Sequence, residues 1–523
     1  MVKLKDTEKI QDVIEDFEDS EKKKKDWNNQ DLNIKFDKLE KIYLGNQWDK
    51  IKTNRNKPEP TVNVLASTIE QEVANLALQN PTIMITGVEK TDIETATALE
   101  LALQFLLKRN KIKHKSQMWW RDGLNFGTGI AKLNWDSEYL KFQSVASKNL
   151  GEVVFDIISP SNFYPDPYAV EPERWQYVHC TYYRSRRFVE EFYEVDFKDT
   201  EAAKSNDITI MESWYRPSNL HKSGRYVVWT KDKVLKDVDN PYGFIPFYPL
   251  WNKKLSKYFW GMSEIEAMYE LQQWMNITLG YILINMKYGS QFKIWSDDPQ
   301  LKNVKIDMDP QKILGVTAGK KVNILAHQGL SADWFALYKT LEQSIQSVSG
   351  VHDVMYGTTS GGVTAASAIQ SLKQSGQMRM TLRTQNMKET MEWMAQGIVR
   401  LMKQYYPDER WYRILGTESE FKKLDKNKIS EYYDINFAYG DALPEDKMSR
   451  LTMAMSVAGM PPQGQEVLLK MINDPTLTAL LGSGVAVAAK QQLQAAIGNI
   501  GGVGGEGKPV SPPLGSPSPT GGK

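Results

Sequence analysis

Trp260-Gly261-Met262-Ser263-Glu264-Ile265-Glu266 closes a run of short, turn-separated segments and opens a long helix. A serine followed three residues later by a glutamate is a capping-box pattern, in which the two side chains satisfy free backbone N–H groups of the first turn. From Ser263 the chain can stay helical to Tyr288, ahead of Gly289, a rod of roughly 40 Å at about 1.5 Å per residue. Along it Met275, Leu279, Ile282 and Met286 step by four, three and four, which makes one packing stripe. Ser331, with Asp333 in the first turn, starts a second helix that ends at Gly350. Here Trp334, Tyr338, Leu341, Ile345 and Val348 recur at four, three, four and three. The two helices bracket residues 289–330, whose turn signals are Asp297-Asp298-Pro299, Met308-Asp309-Pro310 and Ala318-Gly319-Lys320-Lys321. The simplest geometry is an antiparallel helix pair carrying a small β-rich module at its far end.

Toward the N-terminus, Asp6 to about Leu44 is charged and helix-permissive, with Ile10, Val13, Ile14 and Phe17 on one stripe. Glu18 to Asp26, including Lys22 to Lys25, reads as a solvated face rather than a nucleic-acid patch. A helix from about Val62 to Gln79 stops at Asn80-Pro81, because proline cannot continue the ladder. Thr91-Asp92-Ile93-Glu94 is a second capping-box pattern and opens an amphipathic helix to about Lys111. Met118 to Leu133 then reads as a helix end that turns through Gly123, Gly127 and Gly129 into a strand. Its glycines lack both the dinucleotide spacing and the Lys-Ser/Thr pair of a phosphate-binding loop. Between about Ala131 and Phe247 come short β-rich runs, among them Val153 to Ile158, Tyr177 to Tyr183 and Tyr226 to Thr230. Asp156 and Asp166 fit turn formation better than metal ligation.

Beyond the second helix, Tyr356-Gly357-Thr358-Thr359-Ser360-Gly361-Gly362 reads as a mobile loop with no lysine to hold phosphate. Thr364 to Tyr405 forms a third, longer helix with Met387, Met391, Met394, Ile398 and Leu401 on one face, an adaptable core stripe. Arg410 to Tyr439 returns to β-like alternation. Pro444 to about Ile500 reads as short helices broken by glycine and proline. The Gly-, Pro- and Ser-rich stretch 501–523 reads as a disordered tail.

The bulk numbers narrow the function classes. A chain of 523 residues exceeds one simple core, so roughly two to four regions are expected. Sixty-five basic residues face sixty-four acidic ones, a balance unlike that of a protein that grips nucleic acid by charge. One cysteine, Cys180, leaves no internal disulfide or multi-cysteine metal site, reads as a buried inert thiol, and fits a reducing compartment. Met1 to Lys25 holds no secretory apolar core, and no run approaches the roughly 20 apolar residues of a membrane span. The chain therefore reads as soluble, without membrane association. His114, His179, His221, His327 and His352 are scattered, and neither a nucleophile elbow nor a phosphate loop organises the other polar residues. The expectation is no catalytic residues, no cofactor and no metal.

Four local patterns then stand in order: Gly123 to Asp136 with Phe126-Gly127-Thr128-Gly129 at its centre; Ile158-Ser159-Pro160-Ser161-Asn162-Phe163-Tyr164-Pro165-Asp166-Pro167; Pro241-Tyr242-Gly243-Phe244-Ile245-Pro246-Phe247; and Trp260 to Glu266 continuing through Gln272 and Asn276. In that order and spacing the chain resembles the portal proteins of tailed bacteriophages, over about residues 40–500. The resemblance implies an α+β subunit. Its wing would comprise 1–261 and 364–440, its stem helices 262–288 and 331–349, and its clip 289–330. A tunnel loop would span 350–363 and a helical crown 441–500, ahead of the disordered tail. The crown is short and no long barrel helix follows it, a departure from some portal proteins.

Such subunits form closed rings, typically dodecamers, at one capsid vertex and conduct double-stranded DNA during packaging and ejection. The implied partners are the terminase large subunit, a head–tail adaptor, and capsid and scaffolding proteins. The implied location is the virion, after assembly in the host cytoplasm. Gly357, Thr358, Thr359, Ser360, Gly361 and Gly362 would project toward the DNA, and Lys287, Lys320 and Lys321 are the candidates for phosphate contact. Glu264, Glu266, Glu270, Asp333 and Glu342, set against Lys287 and Lys339, would give a weakly adhesive lumen, since every phosphate contact releases counterions and adds grip. The alternatives are another head–tail connector or tail-tube ring component and, less so, a DNA-processing enzyme.

Overall fold

A computed structural model describes residues 10–48, 58–77, 81–86, 93–137, 151–197, 205–289, 293–299, 317–325, 331–350, 366–407, 409–413, 421–425, 427, 429 and 434–439. The chain divides into units 1–440 and 441–523, and every described residue belongs to the first. The expected crown and tail, the loop 357–362, the Met308-Asp309-Pro310 turn and the first two residues of the Thr91 capping box lie outside the described residues.

The N-terminal stretch folds as two helices, α1 (Gln11–Lys23) and α2 (Leu32–Tyr43). Asn29 at φ 61° turns the chain between them, and the Asp31 carboxylate caps α2 by accepting from the N–H of Asn33 at 2.8 Å and Ile34 at 3.3 Å. The apolar stripe of α1 faces inward: Ile10 and Val13 are buried against Met211, Val227 and Trp229, with Ile14 and Phe17 beside them. The charged run behaves as a solvated face where Lys22 pairs with Glu18 and Lys23 with Asp19 one turn apart. Lys24 departs from that expectation. It is buried, donates to the carbonyls of Pro160 at 2.7 Å and Ser161 at 2.8 Å, and stands 4.3 Å from the Tyr164 ring centre. The residue at which α1 ends is aimed at the body, which a count of charges does not reveal.

Next come α3 (Val64–Ala77), β1 (Pro81–Thr86), α4 (Ile93–Arg109), α5 (Ile112–Phe126) and β2 (Thr128–Asp136). The sequence suggests one helix to about Lys111 and then only a helix end; the structure holds two full helices, broken where Lys111 takes a left-handed φ of 54°. At the α5–β2 passage Gly127 has φ 85°, and a Cβ there would collide with the Gly261 carbonyl. A Cβ on Gly129 would come within 2.5 Å of the Trp119 carbonyl. These glycines let backbones touch.

The β-rich part contains β3 (Glu152–Ile158), β4 (Phe163–Pro165), β5 (Tyr177–Ser185), helix α6 (Arg186–Tyr193), β6 (Asp207–Tyr215), β7 (Arg225–Trp229), β8 (Val234–Asp239), β9 (Phe247–Trp251), β10 (Lys253–Leu255) and β11 (Tyr258–Met262). Strands β10 and β11 pair with each other; the rest build an antiparallel sheet in the order β3-β2-β9 and another in the order β4-β5-β6-β7-β8. A buried ion pair joins the two: Lys132 of β2 meets Glu212 of β6 at 2.6 Å. Glu212 also accepts from the Trp214 indole at 3.1 Å and the Tyr226 hydroxyl at 2.9 Å, so the carboxylate is well supplied with donors. Asp166 accepts from the backbone N–H of Tyr168 and Gln176, a turn-forming role.

The remaining elements are α7 (Glu264–Gly289), β12 (Lys293–Ser296), β13 (Val322–Leu325), α8 (Ala332–Ser349), α9 (Ala366–Tyr405), β14 (Glu409–Arg413), β15 (Phe421–Asp425) and β16 (Asp434–Tyr439). Helix α9 lies on the three-stranded sheet. Its Met387, Met391, Met394, Ile398 and Leu401 are buried in the main core with Trp119, Trp120, Leu133, Phe155 and Phe247. Thr390 and Asn386 donate to the carbonyls of Pro249 and Trp251 in β9 at 3.1 and 3.2 Å. Finally β16 pairs antiparallel with β1, Pro81 opposite Tyr439, and so joins distant parts of the chain.

Candidate functional site

The candidate is the helical hairpin formed by α7 and α8 with the β12–β13 pair between them. Its root is the Ser263 turn. Ser263 Oγ accepts from the Ile265 N–H at 3.1 Å and donates to the Asn125 carbonyl at 2.6 Å, while Glu266 accepts from the Ser263 N–H at 3.1 Å. The sequence pattern thus caps the helix and also ties it to the end of α5. Two turns on, Gln272 donates to the Val62 carbonyl at 2.7 Å and accepts from the Leu65 N–H at 3.2 Å, and Asn276 donates to Gln47 at 2.6 Å. Both amides seat the helix against the chain entering α3.

The two helices run antiparallel. Tyr281, late in α7, lies 6.0 Å ring to ring from Trp334, early in α8, and β12 and β13 pair antiparallel with Lys293 opposite Leu325. Of the proposed packing stripe, Met275, Ile282 and Ile345 are buried; Leu279, Trp334, Tyr338 and Leu341 are half-buried. Met286 is 58% exposed. It has company: Trp274 is 61% exposed and Phe335 54%, with Tyr281, Leu283 and Leu337 also open to solvent. Large apolar side chains therefore stand along the outside of a single hairpin.

Lys320 and Lys321 are exposed in the turn that leads into β13, where the Lys321 N–H donates to the Asp297 carboxylate at 2.7 Å. Lys287 is exposed near the end of α7. The structure places these lysines on α7 and on the turn before β13. Two of the acidic residues expected along the lumen are committed elsewhere. Glu266 pairs with Lys35 at 2.6 Å, and Glu264 is buried.

Glu264 belongs to a charged cluster that sequence spacing gave no means to assemble. Arg383 of α9 donates to Glu72 of α3 at 2.7 Å and to Glu264 at 2.8 Å; Lys253 also reaches Glu264 at 3.0 Å. Burial pushes the Glu72 carboxyl up to about 8. Burial acts on Glu264 in the same direction, but Arg383 and Lys253 outweigh it and hold that group below the usual carboxylate value. The cluster pins the first turn of the hairpin to α3 and α9 at once. Its only sequence signal is an arginine among apolar positions of a long helix.

No three His, Cys, Asp or Glu residues gather into a metal-holding group among the described residues. His179 is buried, contacts Ser213 at 2.8 Å through Nδ1, and is pushed down to about 3 by burial. Burial likewise pushes the Cys180 thiol up to about 12, which suits an inert side chain. No helix of the described residues is long and apolar enough to cross a membrane.

A mixed helix and strand body from which a helical hairpin displays bulky apolar residues has the character of a subunit built for assembly. The model of one protein family, described as phage P22-like portal protein, matches residues 21–474, and the chain belongs to that family. It is a phage portal protein, a structural component of the virion rather than a member of an enzyme family. No curated protein matches the chain.

Proposed function

We propose that the chain is one subunit of a closed ring at a capsid vertex, through which double-stranded DNA passes during packaging and ejection. The single observation that supports ring formation is the number of large apolar side chains, among them Trp274 and Phe335, that the hairpin leaves exposed. Monomers rarely expose so many bulky apolar groups on one hairpin, and a heterologous contact repeated by rotation closes into a ring. The family adds the dodecamer as the expected number. In this reading α7 and α8 are the stem, 289–330 the clip that meets the terminase motor and a head–tail adaptor, 357–362 the loop nearest DNA, and 441–500 the crown. Lys287, Lys320 and Lys321 are the few candidate phosphate contacts, so the passage holds the duplex weakly and lets it slide.

The test is native mass spectrometry and particle imaging of the purified protein. Rings are expected from the parent chain, and Trp274→Asp together with Phe335→Asp should shift them to monomers while circular dichroism stays unchanged. A parent protein that remains monomeric at micromolar concentration would refute the assignment.

A further inference from the structure

A cavity of about 260 Å³ opens where the end of α9 crosses β9; Trp175, Arg216, Phe244, Tyr248, Trp393 and Arg400 are among its walls. None of its lining residues belongs to the hairpin, and Arg400 lies roughly 25 Å along the helix from Arg383. Arg216 donates to the Glu173 backbone carbonyl at 3.0 Å, and the Arg400 guanidinium lies 5.9 Å from the centre of the Phe244 ring. Neither arginine has an ion pair among the described residues. A guanidinium stays charged throughout the physiological range, so two of them lining one cleft favour an anion between them. Glu173, the sole acid in the lining, leaves the balance cationic. Trp175 is 1% exposed, yet its indole N–H has no acceptor. Gly397 completes the wall, and a Cβ there would collide with the Tyr248 hydroxyl.

We propose that this cleft docks an acidic peptide segment of a partner protein. One carboxylate is received by Arg216 and Arg400, whose planar forks match its two oxygens. A bulky apolar neighbour of that residue lies against Trp393 and Phe244. The space suits one or two side chains, since pockets for drug-sized ligands run to about 300–1,000 Å³. None of the cleft's walls is a hairpin residue, so this binding does not draw on the apolar side chains proposed to close the ring.

The probe is acetyl-Leu-Asp-Phe-amide, followed by saturation-transfer NMR on the full-length protein. Transfer is expected to the Asp and Phe protons. Binding should weaken at least about tenfold in the Arg216→Gln/Arg400→Gln double variant, and as much when Asn replaces Asp in the peptide, as loss of a charge-assisted bidentate contact requires. Equal binding of the two peptides, or undiminished binding by a correctly folded double variant, overturns the proposal. Inorganic phosphate that displaces the peptide at lower concentration also overturns it, making the cleft a small-anion site. Arg187→Gln, an exposed arginine of α6, should change nothing; a tenfold loss there would reduce the effect to general surface charge and overturn the proposal too.

Discussion

At the scale of residues, the structure concentrates its risk in buried charge. Arg383 holds two carboxylates whose other oxygens have no hydrogen-bond partner. Removing one member of a buried ionic group costs about 3–5 kcal/mol because the rest is left uncompensated. Arg383→Met should therefore lower unfolding free energy by about that amount in a denaturant titration. Glu72→Gln should cost less, because burial already pushes that carboxyl toward its neutral form and glutamine keeps an oxygen to accept from Arg383. Equal losses in the two variants would contradict the cluster as described. His179 gives a pH dependence of opposite sense to a salt-bridged histidine. Its folded value is about 3 against about 6.5 unfolded, so its contribution is complete above 6.5 and declines as pH falls toward 3. Each pH unit within that window costs about 1.4 kcal/mol. His179→Asn should flatten the slope of urea midpoint against pH between 6.5 and 4; parallel slopes would remove the assignment. Single residues were legible where a local rule acts, as at Ser263 and Glu266. Arg383, Glu72 and Lys24 were opaque, because their meaning comes from partners more than a hundred residues away.

At the scale of elements, periodicity carried far. The stripes of α7, α8 and α9 stand in the sequence, and the methionine positions of α9 are its core face. The break between α4 and α5 was hidden, since it rests on an exposed lysine in a left-handed conformation that no glycine or proline announces. The passage from α5 to β2 shows the reverse. Its glycines were visible, and their reason, contact with the backbone of Gly261, was not. Gly127→Ala adds both a strained φ and a backbone collision, so it should cost more than about 2 kcal/mol, read as a lower midpoint in thermal unfolding. Little or no change would mean that β11 and the end of α5 do not meet there. The hairpin itself was legible as two helices around an insert; which flank it shows to solvent required coordinates.

At the scale of the whole molecule, a near-neutral composition pointed away from charge-driven DNA gripping, and the family match gives that reading its setting. Shortening Gly357 to Gly362 should leave ring assembly intact in particle images while reducing the yield of packaged genome. Normal genome yield would detach that loop from DNA handling. The pairing of β1 with β16 has a consequence in time. Strand 81–86 leaves the ribosome long before 434–439, and at about 5–20 residues per second the delay is roughly 20–70 s. Through that interval every nascent chain carries an edge whose mate has yet to be translated, so neighbouring chains on one messenger are exposed to mispairing. Maturation of the subunit thus waits for residues 434–439 to be made, and a chain cut short near residue 430 should accumulate as aggregate rather than as a smaller version of the protein.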